Sequence, residues 1–143
     1  MDRTAFDAVA RVERNHWFFV ARRRIIGALL GRHFQRGPDR KILDISTGTG
    51  ATMNTLHPYG RVTGTEYVSD ALSWCRTLAL HTGSLVQSSA TELPFASGSF
   101  DLVTAFDVLS TLPMTGPPPA RYVVYSIKRE HCFAPHQHSG SRN

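Results

Sequence analysis

The sequence has 143 residues, 41% hydrophobic and 19% charged, which corresponds to one globular domain of ordinary composition. The sequence has no apolar run near the ~18 residues of a membrane span and no hydrophobic core of a signal peptide, so we expect a cytoplasmic protein with no membrane partner. Cys75 and Cys132 form no C-x-x-C pair, so we expect no disulfides. The net charge of +5 is uneven, because residues 41–112 carry three Lys/Arg against six Asp/Glu. The basic flanks lack the interleaved aromatic residues of a nucleic-acid motif, which disfavours a nucleic-acid partner.

The first 40 residues predict two helices. Residues 2–16 have a short amphipathic pattern, followed by the aromatic stretch HWFF at 16–19 and three arginines at 22–24. Apolar residues then recur at helical spacing over 25–34, and a Gly-Pro pair at 37–38 ends the second helix. The aromatic residues are expected to pack in the core, and the arginines are expected to lie on a solvated face of the helix.

Residues 41–50, KILDISTGTG, form the central pattern of the chain. Three apolar residues around Asp44 predict a buried strand of a parallel sheet, and the glycines after it predict a tight turn. A short helix over 51–57, stopped by Pro58, would point its N-terminus at the same place. Strand, turn and helix together predict a nucleotide-type site at the carboxyl end of a strand.

The spacing of the glycines separates two classes of ligand. A dinucleotide fingerprint has the pattern G-x-G-x-x-G, but Gly48 and Gly50 are followed by Met53 where the third glycine would stand. A nicotinamide-dependent protein is therefore disfavoured as an alternative.

A second strand is predicted over residues 61–65, and it ends at Glu66. Because Glu66 follows Asp44 by 22 residues, the two acids are one βαβ step apart. An acid at this strand end can accept hydrogen bonds from both hydroxyls of a ribose.

The remaining predicted elements are a helix, a strand, a loop and another strand. The helix begins at Ser69 or Asp70 and ends at 81–83, and the third strand covers 85–87. A loop over 88–95 and a fourth strand near 100–106 follow.

Several of these stretches resemble motifs of class I S-adenosylmethionine-dependent methyltransferases. Residues 44–50 (D-x-S-x-G-x-G) are similar to D/E-x-G-x-G-x-G, with Ser46 in place of the first glycine. Residues 88–95 resemble G-D-A-x-x-L-P-F, with Ser89 in place of the aspartate. The words L-P-F-x-x-x-S-F-D-L-V and T-A-F-D-V-L are similar to the family's fourth strand and the loop after it. The segment HWFF-x-x-RR-x-I-I at residues 16–26 resembles one that covers the cofactor cleft in the family, with a weak carry-over to His16, Trp17 and Arg22. The resemblance as a whole covers residues 16 to about 112.

The resemblance implies an α/β fold, a partial Rossmann-like doubly wound parallel sheet of about four strands in the order 3-2-1-4 with flanking helices. It also implies S-adenosyl-L-methionine as the cofactor. Glu66 would bind the ribose, and Tyr67, Ser89 and Ala90 would face the adenine. Asp44 would orient the turn and the amino-acid end of the cofactor. The cofactor-binding residues implied in this way are Asp44, Ser46, Thr47, Gly48, Gly50, Glu66, Tyr67, Ser89, Ala90, Phe106 and Asp107, the last two on the methyl-donor side.

Three regions follow from this interpretation: an N-terminal helical lid at 1–40, a cofactor-binding core at 41–112 and a divergent, poorly ordered tail at 113–143. The tail lacks the family's R-V-L-x-P-G-G stretch, which indicates either truncation with a foreign tail or simple divergence. Its His and Cys residues lack the spacing of paired metal ligands, so no metal is predicted. Its one strand-like run, Tyr122–Ile127, is expected to cover the fourth strand, which would otherwise be an exposed edge open to self-association.

The sequence therefore predicts methyl transfer to a small-molecule acceptor, and no residue in it can be named as a catalytic base. Two alternatives stay open: a non-catalytic, cofactor-binding remnant or interaction partner, and the nicotinamide-dependent protein.

Overall fold

The computed structural model describes residues 3–13, 15–78, 83–106, 108, 127–128 and 131–132. None of the helices within these ranges is long and apolar enough to cross a membrane.

A four-stranded parallel sheet forms the centre of the described chain. Its strands are β1 (Lys41–Ile45), β2 (Arg61–Glu66), β3 (Gly83–Gln87) and β4 (Leu102–Ala105). They lie in the order β3-β2-β1-β4, and every neighbouring pair is parallel. This confirms the predicted partial Rossmann-like sheet and its strand order.

Four α-helices accompany the sheet: α1 (Arg3–Glu13), α2 (Trp17–His33), α3 (Ala51–Leu56) and α4 (Ser69–Leu78). A 3-10 turn, His57–Tyr59, leads from α3 into β2. Helix α2 begins at Trp17, well before the predicted start at residue 25, because nothing in between breaks a helix and the His16 ring accepts a hydrogen bond from the Phe18 N–H (3.4 Å).

The sheet packs differently on its two faces, because alternate residues of a strand point to opposite sides. On one face lie ten buried residues, drawn largely from α2, α3, α4 and the strands: Ile26, Leu30, Ile42, Met53, Leu56, Tyr59, Val62, Cys75, Leu102 and Phe106. On the other face Leu43, Ile45, Val103 and Ala105 pack against residues of the 90–100 loop and Val108. The described helices therefore contribute to one face, and a loop covers the other.

At the edge of the sheet, β4 pairs only with β1 among the described residues. Residues 122–126, most of the segment predicted to cover β4, lie outside the described residues. Its last residue, Ile127, is described, and it pairs instead with Cys132 in a separate antiparallel pair formed by β5 (Ile127–Lys128) and β6 (His131–Cys132).

Candidate functional site

Asp44 lies at the carboxyl end of β1, directly beneath the glycine turn. Its side chain is 1% exposed, and each carboxylate oxygen has its own hydroxyl donor. Thr47 Oγ1 donates to Oδ2 and Thr104 Oγ1 donates to Oδ1, both at 2.8 Å. Burial raises the pKa of Asp44 from 3.8 to about 6, and the two hydroxyls and the charge of Arg22 limit the rise. Asp44 therefore links the turn to β4 through the hydroxyls of Thr47 and Thr104.

Three residues of the turn have left-handed backbone conformations. Ser46, Gly48 and Gly50 have φ values of 56°, 58° and 85°. The conformation explains why the related motif has a glycine at the position of Ser46, since a side chain there costs roughly 1–2 kcal/mol. A Cβ added to Gly48 would meet no atom within 4 Å, so the backbone is open to a ligand at this point.

Gly50 has a different neighbourhood. A Cβ built on Gly50 would lie 2.4 Å from the sulfur of Cys75, which is fully buried in α4. The missing side chain at Gly50 thus allows α4 to pack closely against the turn, in addition to any role toward a ligand.

Glu66, at the carboxyl end of β2, meets the turn directly. Its Oε2 accepts a hydrogen bond from the Gly48 N–H (3.1 Å), and its Oε1 accepts from the N–H groups of Tyr67 (2.8 Å) and Val68 (3.2 Å). Tyr67 is 71% exposed beside it. The structure therefore brings together the glycine turn and Glu66, as the spacing predicts, with Tyr67 beside them.

The loop after β3 reaches the same edge of the sheet. The Ser88 N–H donates to the Glu66 carbonyl (3.1 Å), which ties the loop to β2. The Ser89 hydroxyl pairs with the hydroxyl of Thr91 (2.8 Å) and accepts from the Thr91 N–H (3.2 Å). Ala90 is half-buried and packs against the β1–β4 face. Ser89 thus occupies the predicted loop, but its hydrogen bonds are made within that loop.

The two residues predicted on the methyl-donor side have different outcomes. Phe106 is 8% exposed and packs in the helix-covered core with Met53 and Cys75. Asp107 lies outside the described residues.

Glu13, a residue that the motifs do not single out, also contacts the turn. It is 8% exposed at the end of α1, and its Oε2 accepts a hydrogen bond from the Thr49 hydroxyl. Arg22 of α2 lies beside it, with Nη2 3.8 Å from Oε1. One signal in the sequence does point to Glu13: an acid in the last turn of a helix is disfavoured by the helix dipole, so a tertiary partner is expected.

The other N-terminal residues implied by the resemblance do not reach the turn. Trp17 is 73% exposed, and His16 is exposed and contacts Trp17 and Phe19. Arg22 is therefore the one of these three whose contacts place it near the turn.

The residues present fit an adenosine-type cofactor. The open backbone at Gly48 leaves room beside the turn, and the half-buried Glu66 carboxylate lies within hydrogen-bond distance of that backbone. Among the described residues, no group of three His, Cys, Asp or Glu side chains could hold a metal ion.

Known structures with similar folds include the following three. A protein described as a candidate S-adenosyl-L-methionine-dependent methyltransferase from Methanococcus maripaludis is 14% identical, with a TM-score of 0.66 over 78% of this chain and 52% of its own. The PH0226 protein from Pyrococcus horikoshii is 24% identical, with a TM-score of 0.57 over 65% and 45%. A SAM-dependent methyltransferase from Aquifex aeolicus is 14% identical, with a TM-score of 0.54 over 84% and 62%.

These likenesses show a shared fold, and the chain spans between 45% and 62% of the length of those three proteins. No curated protein matches the chain. A family model described as a methyltransferase domain matches residues 43–124, which is more than half of the chain and runs past residue 112, where the motif resemblance ends. The chain therefore belongs to the methyltransferase domain family.

Proposed function

We propose that the chain binds S-adenosyl-L-methionine at the carboxyl ends of β1 and β2 and belongs to a protein that methylates a small molecule. The observation that carries this proposal is the contact between Glu66 and the open glycine turn at Gly48. A carboxylate beside a turn of this kind is the arrangement that binds a ribose next to a backbone cradle.

When bound, the cofactor would supply a methyl group activated by its sulfonium, whose sulfur would leave as the neutral thioether of S-adenosylhomocysteine. The protein's main task is to hold donor and acceptor in the right geometry. In our proposal Glu66 accepts hydrogen bonds from the ribose hydroxyls, and Tyr67 lies against the adenine ring. Ala90 and Ser89 face the edge of that ring, and Asp44 keeps the turn in place through Thr47 and Thr104. Residues 1–40 act as a lid over this site.

The first prediction concerns the ribose contact and can be tested by calorimetry. S-adenosylhomocysteine, the demethylated product, should bind the full chain, and Glu66→Ala should weaken binding by more than the ~1 kcal/mol of a neutral hydrogen bond. The reason is that two hydroxyls lose a charged acceptor. Because the same carboxylate also holds three backbone N–H groups, the melting temperature of each variant should be recorded alongside.

Three further variants sharpen this test. Glu66→Gln keeps the size of the side chain and should lose less affinity than Glu66→Ala. Asp39 is an exposed acid in the loop before β1, so the control variant Asp39→Asn should bind as the wild type does. Ser89→Asp should tighten binding, because an acid there could accept from the adenine amino group. If the wild type and Glu66→Ala bind with equal affinity, Glu66 is not part of the binding site. If the chain binds a nicotinamide dinucleotide and not S-adenosylhomocysteine, the proposed function is wrong.

A second candidate is a non-catalytic cofactor-binding protein. The observations that favour it lie in the motifs, because Ser46 and Ser89 stand where the related motifs have a glycine and an aspartate. Under this candidate S-adenosylhomocysteine still binds, but radioactive methyl groups are not transferred to any small acceptor. Steady turnover by the isolated chain would exclude it.

A further inference from the structure

A cavity of about 440 Å³ lies at the end of the sheet opposite to the glycine turn. Its walls come from the loop before β1 and from the segment that leads into β2, namely Gly37, Pro38, His57, Pro58, Gly60 and Arg61. Arg61 begins β2 and Glu66 ends it, so the cavity lies about 16 Å along the strand from the proposed cofactor site. Its volume is within the range of small-molecule pockets. The cavity is therefore a separate candidate site.

Backbone hydrogen bonds join the two segments that form the walls. The Gly37 N–H donates to the Pro58 carbonyl (3.1 Å), and the Arg61 N–H donates to the Arg40 carbonyl (2.8 Å). A Cβ built on Gly60 would lie 2.5 Å from the Arg40 carbonyl oxygen, so the two segments are in close contact there. A Cβ built on Gly37 would meet no atom within 4 Å, so space is open at that wall. The cavity is therefore formed before any ligand binds.

The charge around the cavity is positive. The side chains of His57 and Arg61 are exposed, and neither has a hydrogen bond or an ion pair with another described residue. Lys41 is the partner of Arg61 in the register of β1 and β2, and like charges at such positions repel. The guanidinium of Arg36 lies 6.0 Å from the centre of the Tyr59 ring, beside the same two segments. A bound anion would relieve this repulsion.

Helix ends and acids account for part of this charge but not for Arg61. Arg32 lies in the last turn of α2, where the helix dipole favours a positive charge. Of the two acids in the adjoining segments, Asp39 is exposed, and Asp101 accepts a hydrogen bond from the Lys41 N–H (2.8 Å). Neither acid forms an ion pair with Arg61 in the part of the chain that the structure describes. The Arg61 guanidinium is therefore available to a ligand.

Two cationic side chains beside two prolines favour a ligand with a doubly charged group and an apolar part. The arginine guanidinium has five donors, and its planar fork matches two oxygens of a phosphate. We propose that this cavity binds a small phosphomonoester, with Arg61 and His57 donating to the phosphate oxygens and Pro38 and Pro58 contacting the organic part. The site lies outside the proposed cofactor site, so this proposal does not rest on the proposed function.

The test uses phenyl phosphate as the probe, because it joins a phosphate to a small apolar group. An NMR titration of the full chain should shift the amide signals of Gly37 and Arg61 and leave those of Gly48 and Glu66 unchanged. Arg61→Gln should raise the Kd of phenyl phosphate about fivefold or more, because a charge-assisted pair of hydrogen bonds is lost. Inorganic phosphate should bind more weakly than phenyl phosphate, because it lacks the part that contacts the prolines.

A matched control separates the cavity from the net charge. Arg11 is exposed in α1, two residues from Glu13 at the glycine-turn end of the sheet, and Arg11→Gln removes the same charge as Arg61→Gln. The Kd of phenyl phosphate should change by less than about twofold in this variant, because salt screens exposed charges that are far apart. If Arg61→Gln lowers the melting temperature, His57→Gln carries the same expectation of weaker binding.

Several results would overturn the inference. Equal effects of Arg61→Gln and Arg11→Gln would show that binding depends only on net charge. Signal shifts confined to the glycine turn would place the phosphate at the proposed cofactor site, and equal affinity for inorganic phosphate would make the free ion the ligand. A short RNA duplex that binds more tightly than phenyl phosphate, and equally weakly in both arginine variants, would indicate a diffuse nucleic-acid surface. The absence of phenyl phosphate binding to the wild type would also exclude the site.

Discussion

Asp44 shows how one buried acid can hold a binding turn and carry an energetic cost. Its carboxylate is removed from water, and two threonine hydroxyls replace only part of the lost hydration. A carboxyl whose pKa rises from 3.8 to about 6 on folding binds a proton more readily in the folded chain. The free energy of unfolding therefore falls as the pH rises from about 4 to about 6, and Asp44 adds no further dependence above that range.

The prediction for this residue is a change of pH dependence in Asp44→Asn. The amide can still pair with the hydroxyls of Thr47 and Thr104, but it does not titrate. Between pH 4 and pH 7 the wild type should therefore lose up to about 3 kcal/mol of stability relative to the variant. Urea unfolding of both proteins at several pH values measures this difference.

A second variant tests whether the Thr104 hydroxyl limits the rise of the Asp44 pKa. Thr104→Val removes one hydroxyl donor with little change of shape, so it should extend the fall in stability to a higher pH. Parallel pH curves for wild type and Asp44→Asn would contradict the assignment of this titration to Asp44.

The glycine turn and the helices around it are the element on which the site depends. The apolar run, the glycines and Pro58 were enough to predict the strand, the turn and the short helix after it, because each is a local signal. The contact of Gly50 with Cys75 could not be predicted in this way, since it joins residues 25 positions apart and depends on how α4 packs. The contact of Glu13 with Thr49 is of the same kind.

We predict that alanine substitutions at the two glycines of the turn have unequal effects on stability. Gly50→Ala combines a φ of 85° with a Cβ 2.4 Å from the sulfur of Cys75, and should lower the free energy of unfolding by about 2–4 kcal/mol. Gly48→Ala has a φ of 58° and no neighbour within 4 Å, so it should cost only about 1 kcal/mol. Denaturant unfolding compares the two variants.

A double-mutant cycle separates the contact from the backbone strain. Adding Cys75→Ala to Gly50→Ala removes the sulfur and should restore at least about 1 kcal/mol relative to the sum of the single changes. Additive effects of the two substitutions, or equal losses of stability at Gly48 and Gly50, would contradict this prediction. The packing against Cys75 would then not be the reason that residue 50 is a glycine.

For the molecule as a whole, the resemblance of the motifs to a known family predicted the four-stranded sheet and its strand order, which the structure has. The sequence did not show how the two faces would differ. The described helices pack on one face, and the 90–100 loop with Val108 covers the other. In a doubly wound fold the two faces are covered by elements from different parts of the chain, so what packs on each face depends on contacts between residues far apart in the sequence.

The last prediction concerns β4, whose outer edge has no partner strand among the described residues. All four of its residues are buried. An edge strand presents a row of backbone N–H and C=O groups that invites pairing with a second chain. We propose that the segment before Ile127 covers this edge. Removing residues 113–143 should then turn a monomer into dimers or aggregates, as measured by size-exclusion chromatography with light scattering. A chain ending at residue 132 keeps the segment together with β5 and β6, and it should behave as the full chain does. If the chain of residues 1–112 stays monomeric with an unchanged melting temperature, the segment does not protect β4, and the edge is stable by itself.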